Sequence, residues 1–340
     1  EMTGAGMMDC KKALVETDGN IEAAVDLLKE KGLAKAAKKA GRVAAMGLVR
    51  TAIAADGKSA AIVEVNSETD FVAKNDEFVT FVETLAQMAL ENDAKDMDEF
   101  MALPYGDEGS VQDVLTNKIA TIGENMTIRR FEKVSGEAVV SYIHGGGRIG
   151  VLVAGIGASD DAAKEALTNI AMQIAAMNPQ YISRADMADE EVAKLREITV
   201  DSALNDPASL PKPILNKLIE KAVADVWSAE DVAIYEEKKS NMQYLFNFLS
   251  KEAAAQLAEI AMADKETIAA DKIFNGLVEG RVSKQLKEIC LLDQTYVKAE
   301  DGKQSVAKYL ASVNKDLAIK KFVRFEVGEG MEKKNEDFAA

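Results

Sequence analysis

Apolar positions over residues 71–89 recur at helical spacing. Phe71, Phe78, Val82, Leu85 and Ala89 are seven, four, three and four residues apart, one stripe of an α-helix. The preceding segment 60–65 (Ala-Ala-Ile-Val-Glu-Val) reads as a buried strand. Thr69 lies between the two, with a hydroxyl suited to cap a helix N-terminus. Asp70 then falls in the first turn, where the helix dipole favours a carboxylate. Phe71 is expected at the exposed tip of this strand-to-helix junction.

The same patterning divides the rest of the chain. Residues 7–17 read as a helix, Asp18-Gly19 as a turn and Asn20 as an N-cap. Ile21, Ala24, Val25 and Leu28 form a stripe that is expected to end at Gly32. Two such short helices bury too little alone, so a preceding helix is expected to complete a bundle, and the opening reads as the middle of a domain. Residues 29–42 are basic and read as a solvated helix or linker. Segments 46–54 and 58–65 flank the hairpin signal Asp56-Gly57. A helix to about 92, a helix over 111–122 and a strand over 126–134 follow. Strands over 138–143 and 148–156 flank Gly145-Gly146-Gly147, and Asn178-Pro179 stops an amphipathic helix over 160–177. Pro211-Lys212-Pro213 opens a helix with Ile214, Leu215, Leu218 and Ile219, and one helical pattern runs over 236–263. A helix to Cys290, a short helix over 305–310 and an alternating strand over 320–327 close the chain.

Composition narrows the class. At 340 residues, two or three domains are expected. The 57 acidic and 41 basic residues give a formal charge of −16, which opposes general nucleic-acid binding. The basic run 29–42 is the rival, as a ribosome or RNA contact, but no aromatic is interleaved to stack on bases. There is no run of 18 apolar residues and no signal-peptide pattern. Cys10 and Cys290 read as reduced thiols, which points to a cytoplasmic protein.

Catalytic and cofactor motifs fail their context tests. Gly57-Lys58-Ser59 lacks the upstream glycine and following helix of a phosphate loop. The glycine spacing over 145–150 is followed by a strand, so no helix N-terminus receives a pyrophosphate. His144, the single histidine, offers no metal site and a thin catalytic base. An interaction protein without metal or cofactor is expected, not an enzyme. An adaptor module binding through the N-terminal helices is a second protein-binding alternative.

Thr69-Asp70-Phe71-Val72-Ala73-Lys74 resembles the signature of elongation factor Ts, the guanine nucleotide exchange factor of elongation factor Tu. So do the segments 3–13 (with Gly6-Met7-Met8), 122–130 (Ile122-Gly123-Glu124-Asn125) and 324–330. These four matches are collinear. The resemblance implies an α+β fold: a ubiquitin-associated-like helical module over 1–42, core subdomains over 43–138 and over 139–180 with 267–330, and a helical arm over 181–266. Residues 331–340 would begin a C-terminal module. It also implies that Thr69, Asp70, Phe71, Val72, Met7, Met8, Ile122 and His144 contact elongation factor Tu. The arm departs from the family by about 60 extra residues, 206–266. These read as an enlarged bundle, with homodimerisation or docking as the alternative.

Overall fold

Strand β2 (Ser59–Ser67) is buried from Ala60 onward because both of its faces are covered. It pairs antiparallel with β1 (Met46–Ile53) on one side and β3 (Met126–Ser135) on the other. Side chains alternate along a strand. Ala61, Val63 and Val65 therefore face a helical layer, and Ala60 and Ile62 face a second sheet. That sheet has β5 (Ile149–Ile156) between β4 (Ala138–His144) and β6 (Ala318–Glu326). Val49, Ala60, Ile62 and Val134 meet Val139, Leu152, Ala154, Val323 and Phe325 between the sheets.

The computed structural model describes residues 2–332. Two units are distinct. One holds the segments Glu1–Asn178 and Thr295–Ala340, with both sheets; the other is Pro179–Gln294. The fold is α+β as expected, and the two sheets share a topology. Each is a hairpin followed by helices and then a third strand that returns to pair with the second. Each centre strand carries a register shift, at Glu64/Val65 and at Ala154/Gly155.

In the first unit, α1 (Met7–Glu16) and α2 (Ile21–Lys39) precede β1. Asn20 caps α2 by accepting from the Ala23 amide at 3.1 Å. The helix does not stop at Gly32. A Cβ at Gly32 would meet the Ala120 methyl at 3.8 Å, so this position faces α6 (Val111–Ile122) in close helix packing. The basic run thus continues α2 to Lys39. After β2 come α3 (Asp70–Ala73), α4 (Asp76–Glu91) and α5 (Met97–Ala102). Helix α5 is absent from the sequence reading. Asp96 caps it, and its buried Phe100 stacks on Phe131 at 4.7 Å. On the second sheet, α7 (Asp161–Met177) buries Ala163, Leu167, Ile170, Ala171 and Ile174.

The second unit is helical: α8 (Asp189–Leu204), α9 (Lys212–Asp225), α10 (Ala229–Lys238), α11 (Met242–Phe248), α12 (Lys251–Ala263), α13 (Lys265–Ala269) and α14 (Lys272–Ile289). The single helical pattern expected over 236–263 is three helices, broken near Asn241 and at Ser250. Ser250 accepts from the Ala253 amide at 3.0 Å and starts α12. The core comprises Leu204, Leu215, Leu218, Ile219, Leu245, Leu257, Phe274 and Val278. Trp227 donates Nε1–H to the Ala253 carbonyl at 3.1 Å. Burial pushes the Asp231 carboxyl up, but hydrogen bonds from Ser250 and Ser228 outweigh it and leave it below its ordinary 3.8. Helix α14 packs in this unit through Phe274, Val278, Val282 and Leu286, so the chain returns at Thr295, not at 267. There α15 (Val306–Val313) precedes β6. Of the module expected over 331–340, all but Met331 and Glu332 lie outside the described residues.

Candidate partner-binding site

The candidate site begins where β2 ends. Thr69 is extended (φ −123°, ψ 157°), and its hydroxyl oxygen accepts from the Val72 amide at 3.3 Å. This starts α3, only four residues long. Lys74 ends it, and Asn75 opens α4 by accepting from the amides of Glu77 and Phe78 at 2.9 and 3.4 Å. The expected single stripe from Phe71 to Ala89 is therefore broken. Phe78, Val82, Leu85 and Ala89 are buried on α4, whereas Phe71 belongs to α3 and is 82% exposed. Ala73 and Val72 pack inward against the first core, and Asp70 points outward beside Phe71 as an exposed residue. An isolated helix of this length is unstable in water, so the junction is held from outside itself.

Glu124 holds it. Its carboxylate accepts from the Glu68 amide at 3.0 Å, the Thr69 amide at 3.1 Å and the Thr69 hydroxyl at 2.6 Å. Glu68 returns the arrangement. Its carboxylate accepts from the Asn125 amide at 2.9 Å and pairs with Arg42 at 3.5 Å. Asn125 in turn donates its side-chain amide to the Arg42 carbonyl at 2.8 Å. Ser67 donates its hydroxyl to the Thr69 carbonyl at 2.9 Å. Sequence reasoning missed Glu124, Glu68, Asn125 and Arg42 as a group. Glu124 and Asn125 lie inside the segment 122–130 already singled out, which was the available signal.

Ile122, the last residue of α6, is half-buried against the same core as Val72. Helix α6 also meets the N-terminal helices: α2 packs along it, and Asn117 donates to the Thr3 carbonyl at 2.9 Å. Met7 and Met8 open α1 and are 88% and 64% exposed. His144 ends β4 on the other sheet, exposed, with its Nδ1 3.1 Å from the Tyr142 hydroxyl. The turn after it rests on β1: the Val49 amide donates to the Gly147 carbonyl at 2.7 Å. Gly147 has φ 112°, a left-handed backbone that strains any residue with a Cβ, so glycine is favoured there. The structure thus groups Thr69–Val72 with Ile122, carries Met7 and Met8 on α1 beside the α2 that packs along α6, and sets the turn after His144 against β1.

The elongation factor TS family model matches residues 68–248 and 247–329. The chain belongs to the elongation factor Ts family. Elongation factor Ts of Clostridium perfringens is 42% identical over 346 aligned positions, spanning all of this chain and 93% of that protein. Its counterparts in Clostridioides difficile and Clostridium tetani are 43% and 40% identical, also across the whole chain and 93% and 94% of their own lengths. The two pieces of the elongation factor Ts match meet at 247–248, inside the helical segment 206–266. Among the described residues, no helix is long and apolar enough to cross a membrane. Nor, among them, do three His, Cys, Asp or Glu side chains cluster to hold a metal ion.

Proposed function

We propose that this chain binds elongation factor Tu carrying GDP and promotes release of the nucleotide in the cytoplasm. It does so by inserting Asp70 and Phe71 near the partner's magnesium and nucleotide site. The observation that carries this reading is Phe71, a large aromatic 82% exposed at the tip of a junction held by several hydrogen bonds. An exposed ring on a rigid support is a ready hot-spot residue, since its ordering cost is met before association. Thr69 and Val72 shape the same prong. Ile122 flanks it, His144 adds a contact from the second sheet, and Met7 and Met8 offer an adaptable surface to a partner helix. The N-terminal helices act as a ubiquitin-associated-like grip, the sheets as the scaffold.

The chemistry is binding, not catalysis. The prong favours a partner conformation that holds Mg²⁺ and phosphate poorly. Coupling is reciprocal, so GDP weakens this chain's binding by the factor that this chain weakens GDP. A hundredfold weakening corresponds to about 2.8 kcal/mol of differential contact. Truncating one well-seated aromatic commonly costs roughly 2 kcal/mol or more. GTP then rebinds and displaces the factor. The RNA-contact reading is weaker because Lys31 and Lys35 pair with Glu16 and Asp9, at 3.4 and 3.6 Å.

The test is release of fluorescent GDP from elongation factor Tu, with and without this protein. Phe71→Ala is expected to slow stimulated release markedly with the melting transition unchanged. Stimulated release as fast with the variant as with the native chain would refute the prong.

A further inference from the structure

We propose that Glu124 is a positioning residue for nucleotide exchange. It fixes Phe71 through Thr69 without touching the partner. The inference rests on the exchange reading above and assigns the control of its prong to a residue outside it.

Three observations carry it. First, the Glu124 carboxylate receives three donors, and all three belong to Glu68 and Thr69, the two residues immediately before α3. Hydrogen bonds to an ionised acceptor are about twice as strong as neutral ones. Secondly, one of those donors is the Thr69 hydroxyl, whose oxygen also accepts the Val72 amide that opens α3. The same hydroxyl thus joins Glu124 to the helix cap, and a loss at Glu124 reaches the backbone that carries Phe71. Thirdly, the arrangement is reciprocal: the Glu68 carboxylate accepts from the Asn125 amide and pairs with Arg42. Glu124 and Asn125 after α6, Glu68 and Thr69 before α3 and Arg42 between α2 and β1 are therefore fixed in one network. Ile122, Phe71 and, by way of α2, the helix α1 bearing Met7 and Met8 are each joined to it through the backbone.

A four-residue helix carries little stability of its own. Without Glu124, the backbone of Glu68 and Thr69 loses its acceptor and Phe71 samples many positions. Binding then orders the prong at the moment of contact, which lowers affinity and rate together. A glutamine at 124 keeps one carbonyl oxygen for the backbone amides and an N–H that can meet the Thr69 oxygen. An alanine keeps neither.

The experiment is a double-mutant cycle on stimulated GDP release, using the full chain and elongation factor Tu. Glu124→Ala is expected to slow release about tenfold, and Glu124→Gln to recover most of that loss. In a Phe71→Ala background, Glu124→Ala should have almost no further effect, because the group it positions is gone. Melting curves for all five proteins give the folded fraction by which each rate is divided, so loss of fold is not scored as loss of positioning. Native release with Glu124→Ala, or a loss that multiplies in full with that of Phe71→Ala, overturns the inference while leaving the prong standing. Native release with Phe71→Ala removes both.

Discussion

The two sheets share a topology but hand their centre strands on differently. In the first, β2 leads into the four-residue α3, with Phe71 turned outward and a polar network beneath it. In the second, β5 leads through Gly157 into α7 with no helix between. Gly157 has φ 70°, its amide donates to Glu137 at 2.6 Å, and a Cβ there would lie 2.2 Å from the Asp316 carbonyl oxygen. Asp160 then caps α7 by accepting from the Ala163 amide at 2.7 Å. One junction is closed tightly against its own unit. The other projects a ring. The same strand-to-helix connection therefore serves packing in one copy and presentation in the other, and the difference lies in a few polar residues beneath the turn.

The comparison breaks most visibly at Phe71. Phe71→Ala should slow stimulated GDP release about a hundredfold, near 2.8 kcal/mol, with denaturant midpoints unmoved. At the closed junction the signs reverse. Gly157→Ala should lower stability by about 2 kcal/mol in equilibrium urea unfolding, because it combines a left-handed backbone with a carbonyl clash. Exchange per folded molecule should stay at the native rate. Thr69→Val sits between these cases. It removes both the cap and the hydroxyl donated to Glu124, so about 1 kcal/mol of stability and a measurable part of the exchange rate should go together. The smallest effect is expected from replacing residues 206–266 with a short linker. No candidate contact residue lies there, so release should stay within about twofold of native, less than about 0.5 kcal/mol. A larger fall in a still-folded deletion would give the helical unit a part in exchange.

The strands were legible because their buried residues alternate or run continuously, as in β2, and the long helices because their apolar stripes are periodic. Pattern failed where a single polar residue outranks it. Phe71 has the spacing of the α4 stripe, yet Asn75 caps α4 four residues later and separates the two. Asn75 was a readable signal, since two acids and a buried phenylalanine follow it. Gly32 looked like a stop but lies where α2 approaches Ala120. The breaks near Asn241 and at Ser250 were hidden because both neighbouring helices carry apolar stripes of their own. At the candidate site, sequence offered the residues that project, through the resemblance, but not the residues that support them. Glu68 and Glu124 are 56 positions apart and follow no period. Only the fold brings them together.

One buried carboxylate ties together segments that are made far apart in time during synthesis. Glu64, fully buried on β2, is met by Arg130 at 2.7 Å, by the Asn66 side-chain amide at 2.9 Å and by the backbone amide of Gly328 at 2.9 Å. The last of these partners lies 264 residues further along. During synthesis β1, β2 and β3 can pair first, but Glu64 still lacks a donor that is made 264 residues after it. The hairpin β4–β5 can already cover the inner face of the first sheet, but Val323, Phe325 and the Gly328 amide that complete this packing arrive only with β6 and the turn after it.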